Sequence, residues 1–358
     1  MTKFIIKKIT YSILVLWGVL TLVFFLFNVL PGDPARMMLD QREDSEQLMA
    51  LKHKYGFDKS VSVQYFLYLN DLSPLSFHSK NKDAFHFIES GKYNCTTIFE
   101  TEKSAIVIKY PYLRESFVKR GKSVTSVISD TFPNTFVLAL TSISIALLIG
   151  ILLGVVSAVY KNSWLDRLAL FFSVLGMSIP SFFSAILFAW FFGFLLADIT
   201  GLSMTGSLYE VDDYGRGEFI NLKNLILPAI TLGIRPLSVI VQLTRNSLLE
   251  VLKMDYMRTA IAKGLSKFIV LFKHGLRNAL NPVVTAVSGW FASMLAGAVF
   301  VEYIFAWNGI GKEIVDALNN LDLPVVMGAV LFIATIFVVV NIAVDIIYGI
   351  LDPRIRIT

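Results

Sequence analysis

Six long apolar runs leave this chain few folds to choose from. Residues from about 9 to 30, 134 to 159, 168 to 197, 225 to 247, 281 to 303 and 325 to 349 are long and apolar enough to cross roughly 30 Å of hydrocarbon. Inside lipid every backbone polar group must find a partner within the protein, which long helices provide. The expected fold class is therefore all-α: a polytopic membrane protein with six transmembrane helices and an external loop subdomain after the first. A chain of 358 residues that is 55% hydrophobic and only 16% charged is not an ordinary soluble enzyme.

Lys3, Lys7 and Lys8 before the first run raise the alternative of a cleaved signal peptide. The run to Leu30 is too long for that, and Leu30-Pro31-Gly32-Asp33-Pro34 offers no small-x-small cleavage site, so it is read as a retained span. Orientation follows the Lys and Arg residues beside the spans. With six spans, the N-terminal lysines, Lys161, Arg167, the basic stretch 245–277, Arg354 and Arg356 share one side. Both termini are then cytoplasmic, in the cytoplasmic (inner) membrane, and residues 31 to about 130, 198–224 and 304–324 lie outside. The net charge of +5 points to lipid and not to nucleic acid, because the cations cluster at the ends of apolar runs.

Three divisions follow: 1–30, the N-terminus and first span; 31–130, an external loop with a small subdomain; 131–358, a core of five spans with a basic loop at 250–280. The Pro31 to Pro34 turn stops the first span. Ser45 to Leu69 suggests short surface helices, and Ala105 to Tyr110 a strand. Pro180 should make the third span tilt or break, a simple kink being the plainest form.

No catalytic or metal-ligating set is expected. Cys95 is the one cysteine and lacks Cys or His neighbours at ligand spacing. Gly121-Lys122-Ser123 ends like a phosphate-binding loop, but Ser116 stands where the first glycine should be, and Gly311-Lys312-Glu313 fails as well. The chain is thus expected to be no enzyme. Two of the charges within the spans, Arg235 beside Pro236 and Asp345, keep an ion-coupled secondary transporter open as an alternative. Arg235 should face protein, a watery path or a carboxylate; Asp345 should pair or cap locally.

The stretch Asp255 to Pro282 carries Arg258, Lys263, Lys267, Lys273 and Arg277, too many cations for hydrocarbon. Asp255 is a plausible N-cap for a helix Tyr256 to Lys263, Gly264 a left-handed C-cap, and Ser266 the cap of a second helix. His274 has no acidic or histidine neighbour and reads as a hydrogen-bonded structural residue. On charge alone the segment would be a helix on anionic headgroups.

Arg258-Thr259-Ala260, Lys263-Gly264-Leu265-Ser266, His274, Leu276-Arg277-Asn278-Ala279 and Pro282 resemble the cytoplasmic loop of ABC-importer permeases, specifically the dipeptide/oligopeptide/nickel branch and its B-type subunit. The Pro31 to Pro34 turn, Leu243 to Leu252, Phe305 to Gly311 and the closing LDPRIR extend the resemblance to both ends. Asn308 stands where the branch usually has Pro, and Gln242 where an Arg is frequent. The resemblance implies a permease subunit of an ATP-driven importer for dipeptides or oligopeptides, with nickel or another small solute as the alternative. It implies as partners a second related permease, two ABC ATPase subunits holding ATP and Mg, and an extracytoplasmic substrate-binding protein; no cofactor would sit on this chain. The ATPase-coupling residues would be Tyr256, Arg258, Thr259, Ala260, Lys263, Gly264, Leu265, His274 and Arg277. The small residues of the fifth span, Ala286, Ser288, Gly289, Ala292, Ser293, Ala296 and Gly297, permit close helix packing. The resemblance places that span along the translocation path, making Ser288, Gly289 and Ser293 path candidates beside Arg235.

Overall fold

The computed structural model describes residues 2–29, 45–81, 86–88, 93, 95–212, 214–215 and 217–351. The Pro31 to Pro34 turn and the closing segment with Arg354 and Arg356 lie outside the described residues. Two units emerge: Met1–Lys8, Thr131–Glu313 and Ile333–Thr358 form one, Ile9–Asp130 and Ile314–Phe332 the other.

Helix α1 (Thr2–Val29) is followed in the second unit by α2 (Ser45–Tyr55) and α3 (Val61–Leu72), the short helices expected there. Strands β1 (Leu75–Ser79), β2 (Cys95–Glu100) and β3 (Ser104–Lys109) make an antiparallel sheet in the order β1-β3-β2. The expected strand at Ala105 to Tyr110 is thus β3, shifted by one residue, and it is the central strand of the sheet. A polar cluster supports the sheet: Arg114 Nε donates to Asp71 Oδ2 at 2.8 Å, and the Lys109 ammonium donates to the Asp71 carbonyl. His78, fully buried, lies 4.6 Å from the Tyr93 ring, with Nε2 3.0 Å from Ser76 Oγ. Asp322 accepts from the Ser116 hydroxyl and, at 3.0 Å, from the Phe117 N–H.

The first unit is helical. It takes in most of α4 (Val124–Val159), then α5 (Trp164–Ser178), α6 (Ser181–Trp190), a π-helical turn (Phe191–Leu195) and α7 (Ala197–Thr200). A β4 (Tyr209–Val211) and β5 (Glu218–Ile220) hairpin precedes α8 (Lys223–Val251). Beyond it come α9 (Asp255–Ala262), α10 (Lys267–Ile269), a second π turn (Val270–Leu276), α11 (Arg277–Ala279), α12 (Asn281–Gly297), α13 (Val299–Ile304), α14 (Ile310–Asn319), which passes into the second unit at Ile314, and α15 (Leu323–Leu351), which belongs to the first unit from Ile333 onward. Helix α8 is the central post: 61% of its most apolar stretch is buried, against 33% for α4. A Cβ on Gly150 or Gly154 of α4 would come within 2.8 Å of Ile240 or 2.6 Å of Thr244, so these two glycines let α4 lie directly against α8.

Among the described residues four helices are long and apolar enough to cross a membrane, and α5 with the segment 181–195 forms a fifth crossing if the bent pair is taken together. Their axes differ by 107°, so the segment breaks at Pro180 and does not merely kink. Ile179 and Pro180 are both extended, with ψ of 128° and 141°, which ends one helix and starts another. The expected run 281–303 is also divided, since α12 stops at Gly297 and α13 begins at Val299. At 1.5 Å per residue the 17 residues of α12 rise about 26 Å, compatible with a sixth crossing. Asp345 does pair, though not locally: its partner is Lys8 of α1.

Candidate coupling element and path surface

The basic segment is built on the end of α8. Met257, Ala260, Val270 and Ala279 bury themselves with Leu248 and Val251 of α8 and Val155 and Ala158 of α4. Gly275 in the π turn leaves room for this packing, because a Cβ there would reach Leu248 at 3.3 Å. One face of the segment is thus fixed to two long helices, and the other stays in the open.

Helix α9 ends in a Schellman arrangement. Gly264, at φ +76°, donates its N–H to Ile261 O at 2.9 Å, and Leu265 N–H reaches Ala260 O at 3.4 Å. Ser266 then caps the next helix, its Oγ accepting from Ile269 N–H at 3.4 Å. The expected cap at Asp255 is corrected. Met254 is the N-cap and contributes no side-chain bond; Asp255 is the first helical residue, its carboxylate 3.5 Å from Arg258.

Tyr256, Arg258, Thr259, Lys263, Gly264, Leu265 and Arg277 are all exposed. Tyr256 is braced by Asn278, whose Nδ2 donates to the phenol oxygen at 2.9 Å. Ala260 departs from the expected contact set: it is 7% exposed and belongs to the packed face, so it seats the helix instead of presenting a side chain. His274 is half-buried; its carbonyl accepts from Asn278 Nδ2 at 3.2 Å, and its ring makes no hydrogen bond within the described residues. Exposed Ile261, Phe268 and Phe272 give the open face an apolar component beside its cations.

Arg235 is exposed on α8 in spite of its place in an apolar helix. On α12, Gly289 and Ser293 are exposed and Ser288 is half-buried, its hydroxyl donating to Val284 O at 2.9 Å. A Cβ at Gly289 would meet nothing within 4 Å. The side chains of Ala296 and Gly297 lie outside the described residues. Two groupings escaped the sequence. The Asp166 carboxylate of α5 is gripped by Arg245 of α8, with Nε at 2.7 Å and Nη2 at 2.8 Å. Glu302, fully buried, accepts from Thr135 Oγ1 at 2.7 Å, Gly311 N–H at 2.7 Å and Lys312 N–H at 3.2 Å. An acidic residue inside or beside an apolar run was the available signal for both.

Residues 150–357 match the family model described as the binding-protein-dependent transport system inner membrane component, and residues 1–82 match the model of its N-terminal region. The chain belongs to this family. As a binding-protein-dependent permease it is a multi-pass transport subunit and not an enzyme, and it is similar over its length to named permeases. It is 33% identical to the dipeptide transport system permease protein DppB of Alkalihalophilus pseudofirmus, covering 99% of this chain and 100% of that one. It is 35% identical to the di/tripeptide transport system permease protein DppB of Pseudomonas aeruginosa, covering 99% of each. It is 32% identical to the glutathione transport system permease protein GsiC of Salmonella typhimurium, again covering 99% of each. The permease shares its fold with a chain of the MetNI methionine ABC transporter, at a TM-score of 0.51 and 16% identity over 62% of this chain and 95% of that one.

Proposed function

We propose that this permease carries dipeptides or oligopeptides into the cell as half of a membrane pathway completed by a second, related permease. The observation that carries the substrate class is that full-length relatives named for dipeptide, di/tripeptide and glutathione transport all handle short peptides. An extracytoplasmic binding protein delivers the peptide, and two ATPase subunits on the cytoplasmic side hold ATP and Mg, so this chain itself binds no cofactor. The termini, α9 and α10 are cytoplasmic, and residues 31–130 lie outside. The open face of α9, bearing Tyr256, Arg258, Thr259, Lys263, Gly264 and Leu265, docks on an ATPase, with Arg277 beside it. Its rigid anchoring to α8 and α4 supports this reading, since a push on a floppy loop would not reach the spans. Arg235, Ser288, Gly289 and Ser293 face the path between the two permeases. An exposed cation within a span would be costly against lipid, which supports placing Arg235 in water.

Reconstitution tests the whole. With ATPases, second permease and binding protein present, the vesicles should accumulate a labelled dipeptide such as alanyl-alanine when ATP is supplied; uptake by this chain alone would sink the reading. Gly264→Val forces a β-branched residue into φ +76°, a conformation that costs an L-residue about 1–2 kcal/mol. The variant should reach the membrane at normal levels but lose most ATPase copurification. Normal copurification and uptake would count against docking at α9.

A further inference from the structure

Asp166 and Arg245 form a buried ion pair, with side chains 3% and 14% exposed. The Asp166 carboxylate also accepts from the Ser157 hydroxyl near the end of α4 and from Asn162 N–H in the α4–α5 turn at 2.8 Å. Ser163 caps α5, its Oγ accepting from Asp166 N–H at 3.3 Å. One carboxylate therefore ties together the end of α4, the turn, the start of α5 and, through Arg245, the last part of α8. Its two oxygens meet the two guanidinium nitrogens in a bidentate fork, which fixes relative orientation as well as distance.

The position of this clamp matters more than its strength. Arg245 lies one turn before Leu248 and two before Val251, the α8 residues on which Met257 and Ala260 of α9 are packed. Val155 and Ala158, which complete that core, flank Ser157 of α4. A force on α9 thus arrives at helix ends that Asp166 and Arg245 lock to α5. From α5 it passes to the 107° break and α6.

We infer that the Asp166–Arg245 pair is a positioning strut for energy coupling: it makes the α4–α5 hairpin and α8 move as one body with α9, so that ATPase movement reaches the bent helix pair. The inference rests on the reading of α9 as the ATPase dock. A buried pair of this kind contributes little net stability when replaced as a whole, so geometry is the property to test. Arg245→Lys keeps the charge but removes the planar fork.

The experiment measures labelled alanyl-alanine taken up per ATP hydrolysed by the full reconstituted transporter. The variants are Arg245→Lys, Asp166→Asn and the reversed pair Asp166→Arg with Arg245→Asp. The strut requires Arg245→Lys and Asp166→Asn to assemble with ATPase and keep hydrolysing ATP, while uptake per ATP falls at least tenfold; the reversed pair should recover part of it. A stabilising role alone would lower the amount of transporter and leave the ratio unchanged. That result overturns the inference, as does failure of every variant to assemble, which would make the pair a folding element. Should the wild-type transporter itself show no ATP-dependent uptake, the proposed function fails before the variants are compared.

Discussion

Glu302 organises the turn from Phe305 to Gly311 from the inside. Its carboxylate takes the N–H groups of Gly311 and Lys312, at the start of α14, and the hydroxyl of Thr135, which in turn accepts from Ile310 N–H at 2.9 Å. Trp307, fully buried, fixes the other side by donating from Nε1 to Asn134 O at 3.0 Å. Space is the limiting quantity. A Cβ on Gly311 would stand 2.6 Å from Val299 Cα and 2.8 Å from Glu302 Oε2, and backbone cannot yield as a side-chain tip can. Gly311→Ala should cost about 1–3 kcal/mol through overpacking, lowering the thermal unfolding midpoint of the purified protein by several degrees. Gly289→Ala, in open space within α12, should not lower it, because alanine favours a helix interior over glycine; equal midpoints for both variants would refute the packing account. The motif itself was legible in the sequence, whereas its anchor was not. Glu302 binds donors nine and ten residues further on, at a separation that matches no helix or turn spacing, and it sits in a run that reads as a span.

At the scale of elements, the sheet of the second unit was half legible. The alternation of β3 shows in Ala105, Val107 and Lys109, which are buried between more exposed neighbours. Strands β1 and β2 gave no such signal: in β1 the polar Ser76 and His78 are buried while Leu75 and Phe77 are exposed, and in β2 Thr96, Thr97, Ile98 and Phe99 are all exposed. His78 makes the sheet sensitive to acid. Burial away from water lowers its pKa from the usual 6.5, despite the bond to His86 O that favours the charged form. The folded state thus binds fewer protons than the unfolded one below that value. Its stabilising contribution is complete above pH 6.5 and is lost as the pH falls through the interval towards the depressed folded value. Amide protection factors, with the intrinsic exchange rate at each pH divided out, should fall over β1 and β3 between pH 7 and pH 5, and His78→Phe should flatten that dependence; a fall persisting in the variant would assign it to another group. The bend at Pro180 was legible as a position and not as a magnitude, because a proline marks where a helix fails without stating the direction in which the chain resumes.

For the molecule as a whole, the order of motifs was the most legible property, and the surfaces that meet partners the least. A single chain does not state which exposed side chains face water, lipid or another protein. Chemistry can separate these environments. With Cys95 replaced by serine, Gly289→Cys and Ser293→Cys in the assembled transporter should react with a charged, membrane-impermeant thiol reagent at rates that change when ATP is added. A lipid-facing cysteine would remain unreactive under both conditions, and that outcome would remove α12 from the path. The broken pair α5 and α6 has one further consequence, for the order in which the protein is made. Fifteen residues of α5 rise only about 22 Å, short of a bilayer's hydrocarbon thickness. The helix is therefore too short to settle in the membrane by itself, and the surface it packs on belongs to α8, which leaves the ribosome later. Synthesis delivers the wall before the post it leans on, so the packed seat of α5 is complete only once α8 has been made.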